Sequence, residues 1–362
     1  MPTITAARAY LVDLEVETVR TDAVQSFIKQ ETVFAEIDTD DGLTGIGYAY
    51  TIGTGGRAVL SMLRDHLAPR LVGQDAVRIE GIWMDLFAST RSTTTGAITS
   101  LALAAVDTAL WDLKCKRANA PLWEAAGGFR PDVPLYDTEG GWLHLDTEQL
   151  VAGAVASKDA GWPGIKLKVG KPSFVEDLER LRAVRAAVGD RMDIMVDANQ
   201  SMTSAEAIRR ARAFEEVNLF WLEEPLPADD VAGHVRLAQA TSIPIAVGES
   251  MYSAMQFREY LQRGAASIVQ VDVARIGGIT PWLKVAHLAE TFNVAVCPHF
   301  LMELHVSLTA AVPNGRYVEH IPQLRAITNS EMRVADGRAW APSTPGLGID
   351  WNADEIENRR TA

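Results

Sequence analysis

Cysteine is scarce: the 362 residues include only Cys115 and Cys297, both in apolar surroundings. Two cysteines in so long a chain exclude a disulfide framework and a cysteine-built zinc site. Positive charge is also in deficit, with 34 Lys and Arg against 47 Asp and Glu and a net charge of −13. That argues against a nucleic-acid backbone or an anionic membrane surface as partner, since both need basic patches. A small anion held by a local cluster of lysines stays open. No apolar run is long enough to span a bilayer. The start, Met1-Pro2-Thr3-Ile4-Thr5-Ala6-Ala7-Arg8, lacks the charged residues and apolar stretch of a secretory signal. The expectation is a cytoplasmic protein with no nucleic-acid and no membrane partner.

What is present is ordinary globular material, 48% hydrophobic and 22% charged, in a chain long enough to divide its core. Residues 10–16, 32–39 and 43–50 alternate apolar and polar side chains, and Asp40-Asp41-Gly42 is a hairpin signal between the last two. Helical patterns follow over 56–71, 77–89 and 96–117. These predict an α+β unit over residues 1–125, with polar or glycine-rich connections at Thr18–Gln30 and Thr51–Arg57. From Val133 onward short apolar runs alternate with amphipathic stretches. Eight strand-like runs (133–136, 164–169, 192–196, 219–222, 243–247, 267–271, 295–297 and 317–318) are separated by helices with short connections. Strand-helix repetition of this kind predicts a parallel sheet, and eight strands close a barrel. The barrel is assigned to 126–325. The tail, 326–362, carries the turns Asp336-Gly337-Arg338 and Gly346-Leu347-Gly348 and is expected to return to the first unit.

Chemistry in such a barrel sits at the carboxyl ends of the strands, and the polar residues there form a set. Lys166 and Lys168 end the second run, on the same side of the strand. Asp197 and Asn199 end the third, Glu223 and Glu224 the fourth, Glu249 the fifth, Asp272 the sixth, His299 the seventh and Glu319 the eighth. Asp197, Glu223 and Glu249 follow one another at intervals of 26 residues, one strand-helix unit each. A single strand-end acid is readily explained as a helix cap, but three on consecutive strands repel unless a cation joins them. All-oxygen ligands suit Mg²⁺. The paired lysines are expected to lower each other's pKa, which makes a usable base. Asp272 beside His299 fixes an imidazole as general acid or base. Lone histidines at 66, 144, 234, 287 and 305 read as surface or packing residues.

These segments resemble the mandelate racemase subgroup of the enolase superfamily along essentially the whole chain. Lys166-Leu167-Lys168 resembles the family's Lys-x-Lys motif. Val196-Asp197-Ala198-Asn199, Trp221-Leu222-Glu223-Glu224-Pro225 and Val247-Gly248-Glu249-Ser250 resemble its three metal-ligand segments. Asp272 with Arg275-Ile276-Gly277-Gly278, and Pro298-His299-Phe300, resemble those of the His-Asp dyad. Arg275 stands where some members have lysine. The muconate-cycloisomerase-like subgroup places a lysine on the sixth strand, and residues 268–276 hold none.

The resemblance implies a modified TIM (β/α)7β barrel with an N-terminal α+β capping domain whose two loops cover the substrate. It implies Asp197, Glu223 and Glu249 as Mg²⁺ ligands and Lys168 as the base taking the proton beside a carboxylate. His299 with Asp272 serves as the partner acid or base, and Glu319 and Lys166 act on the substrate carboxylate. Lys166, Asn199, Glu319, Thr51 and Thr138 are the expected substrate contacts. The substrate is a small hydroxy or sugar carboxylic acid, and the family's habit points to a homo-oligomer. Dehydration of an aldonate or aldarate to a 2-keto-3-deoxy acid is the favoured outcome. The alternatives are racemisation, epimerisation or cycloisomerisation on the same residues, and a non-catalytic metal-bound scaffold.

Overall fold

The structure, a computed structural model, describes residues 1–362. The alternating segments near the start build an antiparallel sheet of β1 (Ile4–Glu15), β2 (Lys29–Thr39) and β3 (Thr44–Thr51), in that spatial order. Its hairpin turns at Asp40-Asp41-Gly42, where Gly42 takes φ +83°, a conformation that suits glycine. The chain then forms α1 (Gly56–Ser61), which runs on into a π-type turn at Met62–Leu67, then α2 (Ile79–Ser89), α3 (Ala97–Arg117) and the short α4 (Leu122–Ala125).

Residues 99–113 of α3 are all buried, because the helix lies between this sheet and the rest of the molecule. Its small residues allow the close approach. A Cβ on Gly47 would stand 2.2 Å from the Ala105 carbonyl oxygen and 2.3 Å from the Ala109 nitrogen. On the other side the Trp111 indole donates to Thr280 Oγ1 at 2.9 Å, and the Thr280 amide donates to Asp107 at 2.8 Å.

The second body alternates strand and helix: β4 (Asp132–Asp137), α5 (Thr147–Asp159), β5 (Gly164–Lys168), α6 (Phe174–Val188), β6 (Asp193–Asp197), α7 (Ser204–Phe214), β7 (Trp221–Glu223) and α8 (Val231–Ala240). It continues with β8 (Ile245–Val247), α9 (Ala254–Gln262), β9 (Ile268–Val269), α10 (Ile279–Thr291), β10 (Ala295–Val296), α11 (Met302–Ala311) and β11 (Val318–His320). Side-chain caps start several of these helices, including Asp146 with Gln149, Thr203, Asp230 and Ser253. Strands β4 to β10 pair in parallel in chain order and β11 pairs back onto β4. A bridge from Val296 to Gly315 joins β10 to the segment entering β11. The sheet is thereby closed into the (β/α)7β barrel. Tyr136, Met195, Trp221, Ala246, Ile268, Cys297 and Tyr317 fill its interior.

The tail departs in part from the sequence expectation. Its first turn forms a hairpin of β12 (Val334–Ala335) and β13 (Arg338–Trp340), and β13 pairs with β4 of the barrel, not with the first sheet. The physical reason is an open edge: β11 covers β4 only over Leu135–Asp137, leaving Asp132–Pro134 free for a partner. The chain then reaches the first unit. The Leu347 amide donates to Asp112, Trp351 packs edge-on to Phe34 and Tyr48, and α12 (Ala353–Asn358) leads to a backbone pairing of Ala362 with Leu11. No helix is long and apolar enough to cross a membrane.

Gly47→Ala is expected to destabilise the protein by about 1–3 kcal/mol, because backbone atoms of α3 have to move. In urea unfolding the midpoint falls with the slope unchanged; an unchanged midpoint would show that α3 is not held this closely.

Candidate active site

The strands are short, and several functional side chains stand just beyond the last paired residue, where the backbone is free to turn. Asn199, Gln200, Glu224 and Phe300, all at this rim, have φ of +44°, +61°, +36° and +59°. Non-glycine residues in that region are uncommon and collect at functional sites.

Asp197, Glu223 and Glu249 are all buried and offer oxygens within 4.8 Å of one another. Ligand oxygens about 2.1 Å from a Mg²⁺ ion sit roughly 3 Å apart along an octahedral edge and about 4.2 Å across it, so small side-chain rotations close the set. Glu249 Oε2 is buried with no hydrogen-bond partner. The Trp221 indole, from the barrel floor, orients Glu223 at 3.0 Å. Hard oxygen donors and an orphaned acceptor fit a divalent cation. Burial first, then the charge of Asp197, pushes the Glu223 carboxyl up to about 7. Behind the trio, Glu224 takes hydrogen bonds from Gln200 and Ser250, and burial together with the Glu249 charge holds it well above the carboxylate range.

The two lysines enter this acidic cluster from β5. Lys166 Nζ lies 3.0 Å from Glu223, 2.9 Å from Glu319 and 3.8 Å from Asp197. Lys168 Nζ hydrogen-bonds Asp197. The expected lowering of both lysine pKa values does not occur here. Burial, the largest influence, pulls each down, but the surrounding carboxylates outweigh it and hold both above the ordinary value. In return Asp197 is lowered, Lys168 and Lys166 overcoming its burial.

Across the rim His299 Nδ1 meets Asp272 Oδ2 at 2.9 Å. Burial works against the Asp272 charge, but the hydrogen bond and charge of His299 bring its pKa down to about 2. Burial likewise opposes the imidazolium, yet Glu249 and Asp272 together raise His299. Its Nε2 lies 3.3 Å from Glu249 Oε2 without the alignment of a hydrogen bond. Arg275 donates to the Glu249 carbonyl at 2.9 Å and lies 3.4 Å from its carboxylate, so it braces a rim acid.

Glu319 is fixed by Thr138 Oγ1 at 2.8 Å and by the Phe300 amide at 2.9 Å. Burial opposes its charge, but Lys166 leads the cations that hold its carboxyl below the usual range. Thr138 therefore joins the rim through Glu319. Asn199 donates its amide to Asp197 and leaves its side-chain oxygen buried without a partner. Thr51 points elsewhere: its hydroxyl donates to Glu31 of β2 at 2.6 Å. Its neighbour Tyr50, missed in the sequence, reaches in from β3 and donates to Asp272 Oδ2 at 2.7 Å. Nothing local marks Tyr50, whose partner lies 222 residues away. The connection after β1 crosses the mouth, with Arg20 paired to Glu139 and bonded to Gln323 at 3.1 Å, and Phe27 edge-on to Trp142.

Residues 149–356 match the profile of the enolase C-terminal domain-like family. Residues 8–127 match the mandelate racemase / muconate lactonizing enzyme N-terminal domain. The chain is 40% identical over 317 residues to the L-talarate/galactarate dehydratase of Salmonella typhimurium, covering 88% of this chain and 79% of that protein. It is 39% identical over 324 residues to the 3,6-anhydro-alpha-L-galactonate cycloisomerase of Streptomyces coelicolor, covering 88% of each. The crystal structure of the Salmonella dehydratase with Mg and L-lyxarohydroxamate superposes with a TM-score of 0.95 at 36% identity, covering 100% of this chain and 93% of that one.

Free of cation, folded Glu223 keeps its proton until about pH 7, whereas an unfolded glutamate loses it near pH 4.3. The folded state binds more protons between these values, so this group's contribution to stability falls as pH rises through the window. A bound cation displaces that proton and competes best where it is already gone. The rise in melting temperature on adding Mg²⁺ is therefore expected to be larger at pH 7.5 than at pH 5.5. A rise independent of pH would mean that no proton on Glu223 competes with the cation in this range.

Proposed function

This chain belongs to the mandelate racemase / muconate lactonizing enzyme family of the enolase superfamily, in its mandelate racemase subgroup, and we propose how its rim residues divide the work. It is a Mg²⁺-dependent lyase acting on an acid sugar, an aldonate or aldarate. The proton beside the carboxylate is removed, an enediolate forms, and loss of water gives a 2-keto-3-deoxy acid. The observation that carries the assignment of roles is the arrangement of the rim: three buried acids grouped within 4.8 Å, with Lys168 bonded to one of them and His299 beside another.

Asp197, Glu223 and Glu249 hold the metal. When bound, Mg²⁺ supplies positive charge at the substrate carboxylate, where negative charge develops as the proton leaves. Lys166 grips that carboxylate by charge, and Glu319, 2.9 Å from Lys166, holds the lysine in place. Asn199 offers its unpartnered oxygen to a substrate hydroxyl, and Thr138 keeps Glu319 in place. Lys168 takes the α-proton. With Asp197 engaged as a ligand, burial and the like charge of Lys166 pull Lys168 toward the neutral form a base requires. His299, oriented by Asp272, gives its proton to the β-hydroxyl as the C–O bond breaks, so the leaving group departs as water. The enol product then tautomerises to the keto acid. The segment after β1 and the one after β3 form the cover that excludes water, and residues 1–125 serve as the capping domain.

The relative at 40% identity is named for talarate and galactarate, which supports an aldarate. The cycloisomerase relative at 39% supports isomerisation as the second reading. We also place the enzyme in the cytoplasm and as a homo-oligomer, by analogy with the family.

A panel of acid-sugar stereoisomers with Mg²⁺ in deuterated water separates these readings. Dehydration yields a 2-keto-3-deoxy acid; exchange without loss of water indicates racemisation or cycloisomerisation; no exchange with any acid leaves a scaffold. Lys168→Ala and His299→Asn are each expected to lower turnover by about 10²–10⁴-fold, the usual range for a general acid or base, and neither is expected to weaken Mg²⁺ binding. Unchanged turnover in either variant removes that residue from the mechanism.

A further inference from the structure

One buried histidine has no part in these steps. His305 sits in α11 among apolar neighbours with none of its surface exposed. Its ring nevertheless bonds to two separate strand ends. Nε2 lies 3.0 Å from the backbone nitrogen of Val273, and Nδ1 lies 3.1 Å from the carbonyl oxygen of Phe300. An amide N–H donates and a carbonyl accepts, so the tautomer is determined: the proton is on Nδ1 and the lone pair on Nε2. Burial keeps the ring neutral, its pKa lowered to about 4.

Each of those backbone groups directly follows one half of the dyad, Val273 after Asp272 and Phe300 after His299. The sheet does not reach this far. The last backbone bond between the two strands runs from the Cys297 amide to the Val269 carbonyl, 2.9 Å, before either dyad residue. Beyond it, side chains hold the backbone. The Trp282 indole donates to the Val271 carbonyl at 3.0 Å, and Glu319 accepts from the Phe300 amide at 2.9 Å. Phe300 itself stands at φ +59°, a conformation that needs outside support. His305 is the group among these that touches both ends at once.

We infer that His305 is a positioning residue, whose imidazole clamps the Asp272 and His299 segments together and so sets the geometry of the dyad. Its consequence for catalysis rests on the reading in which His299 protonates the leaving hydroxyl. The clamp itself does not.

His305→Leu keeps the volume and removes both bonds, whereas His305→Gln has one amide donor and one carbonyl acceptor to restore them. For a displacement of the acid by about an ångström, His305→Leu is expected to lose about 100-fold in dehydration kcat. KM and Mg²⁺ binding should hold, and Lys168-dependent exchange of the α-proton with solvent should continue. His305→Gln should recover most of the loss. Wild-type kcat in His305→Leu overturns the inference, as does an equal fall in exchange and dehydration with Gln no better than Leu. Nitrogen NMR of the wild-type protein labelled in histidine gives a reading free of folding defects and of the assigned reaction. A neutral Nδ1–H ring at position 305 from pH 5.5 to 8 supports the clamp; an Nε2–H tautomer, or protonation within that range, overturns it. If wild-type protein dehydrates no acid sugar, the reaction assignment fails and the NMR result alone decides the clamp.

Discussion

The structure depends on balancing charges that are out of contact with water. Asp197, Glu223, Glu249, Asp272 and Glu319 are all buried, and so are Lys166, Lys168 and His299. Isolated buried ions of this kind are costly and either pair or neutralise. Here each cation faces several acids, and the acids outnumber the cations at the metal rim. Glu223 shows the residual imbalance by holding its proton to about pH 7. In the proposed function a divalent cation among the trio would remove that imbalance and release Lys168 from Asp197. Binding of the metal would then change Lys168 from the counter-ion seen here into a base.

The fold supplies this arrangement by delivering polar side chains from successive strand ends to a common mouth, over an interior packed with Trp221, Tyr136 and Tyr317. Short strands leave the functional residues on backbone that turns sharply, and the positive φ values at Asn199, Glu224 and Phe300 record the strain. Side chains take over where the ladder stops: Gln200 and Ser250 hold Glu224, Trp282 and His305 hold the dyad segments, and Thr138 holds Glu319. The first unit takes part directly, since Tyr50 from β3 donates to Asp272.

Much of this was legible in the sequence because it is periodic. The barrel shows as apolar runs at regular intervals, and the rim acids as the polar residues that end them. The lysine pair was equally visible, but its electrostatics were misjudged: sequence spacing shows the like charge two residues away and not the acids on neighbouring strands. Tyr50 was hidden because alternation in β3 says which residues share a face, not what lies opposite. His305 was hidden in an apolar helix, where a histidine reads as packing. The hairpin of β12 and β13 was misplaced because the open edge of β4 exists only once β11 has paired.

The claim that Lys168 stands in for part of the cation is open to a calorimetric comparison. Two unit charges about 4 Å apart interact by about 4 kcal/mol at an effective dielectric near 20, and about 1.4 kcal/mol is a factor of ten in affinity. Removing the lysine's charge takes from Asp197 its nearest cation and leaves the three acids with less positive charge to balance them. At pH 8.5, Lys168→Met is predicted to bind Mg²⁺ at least about tenfold more tightly than the wild type. Equal or weaker binding would contradict the account.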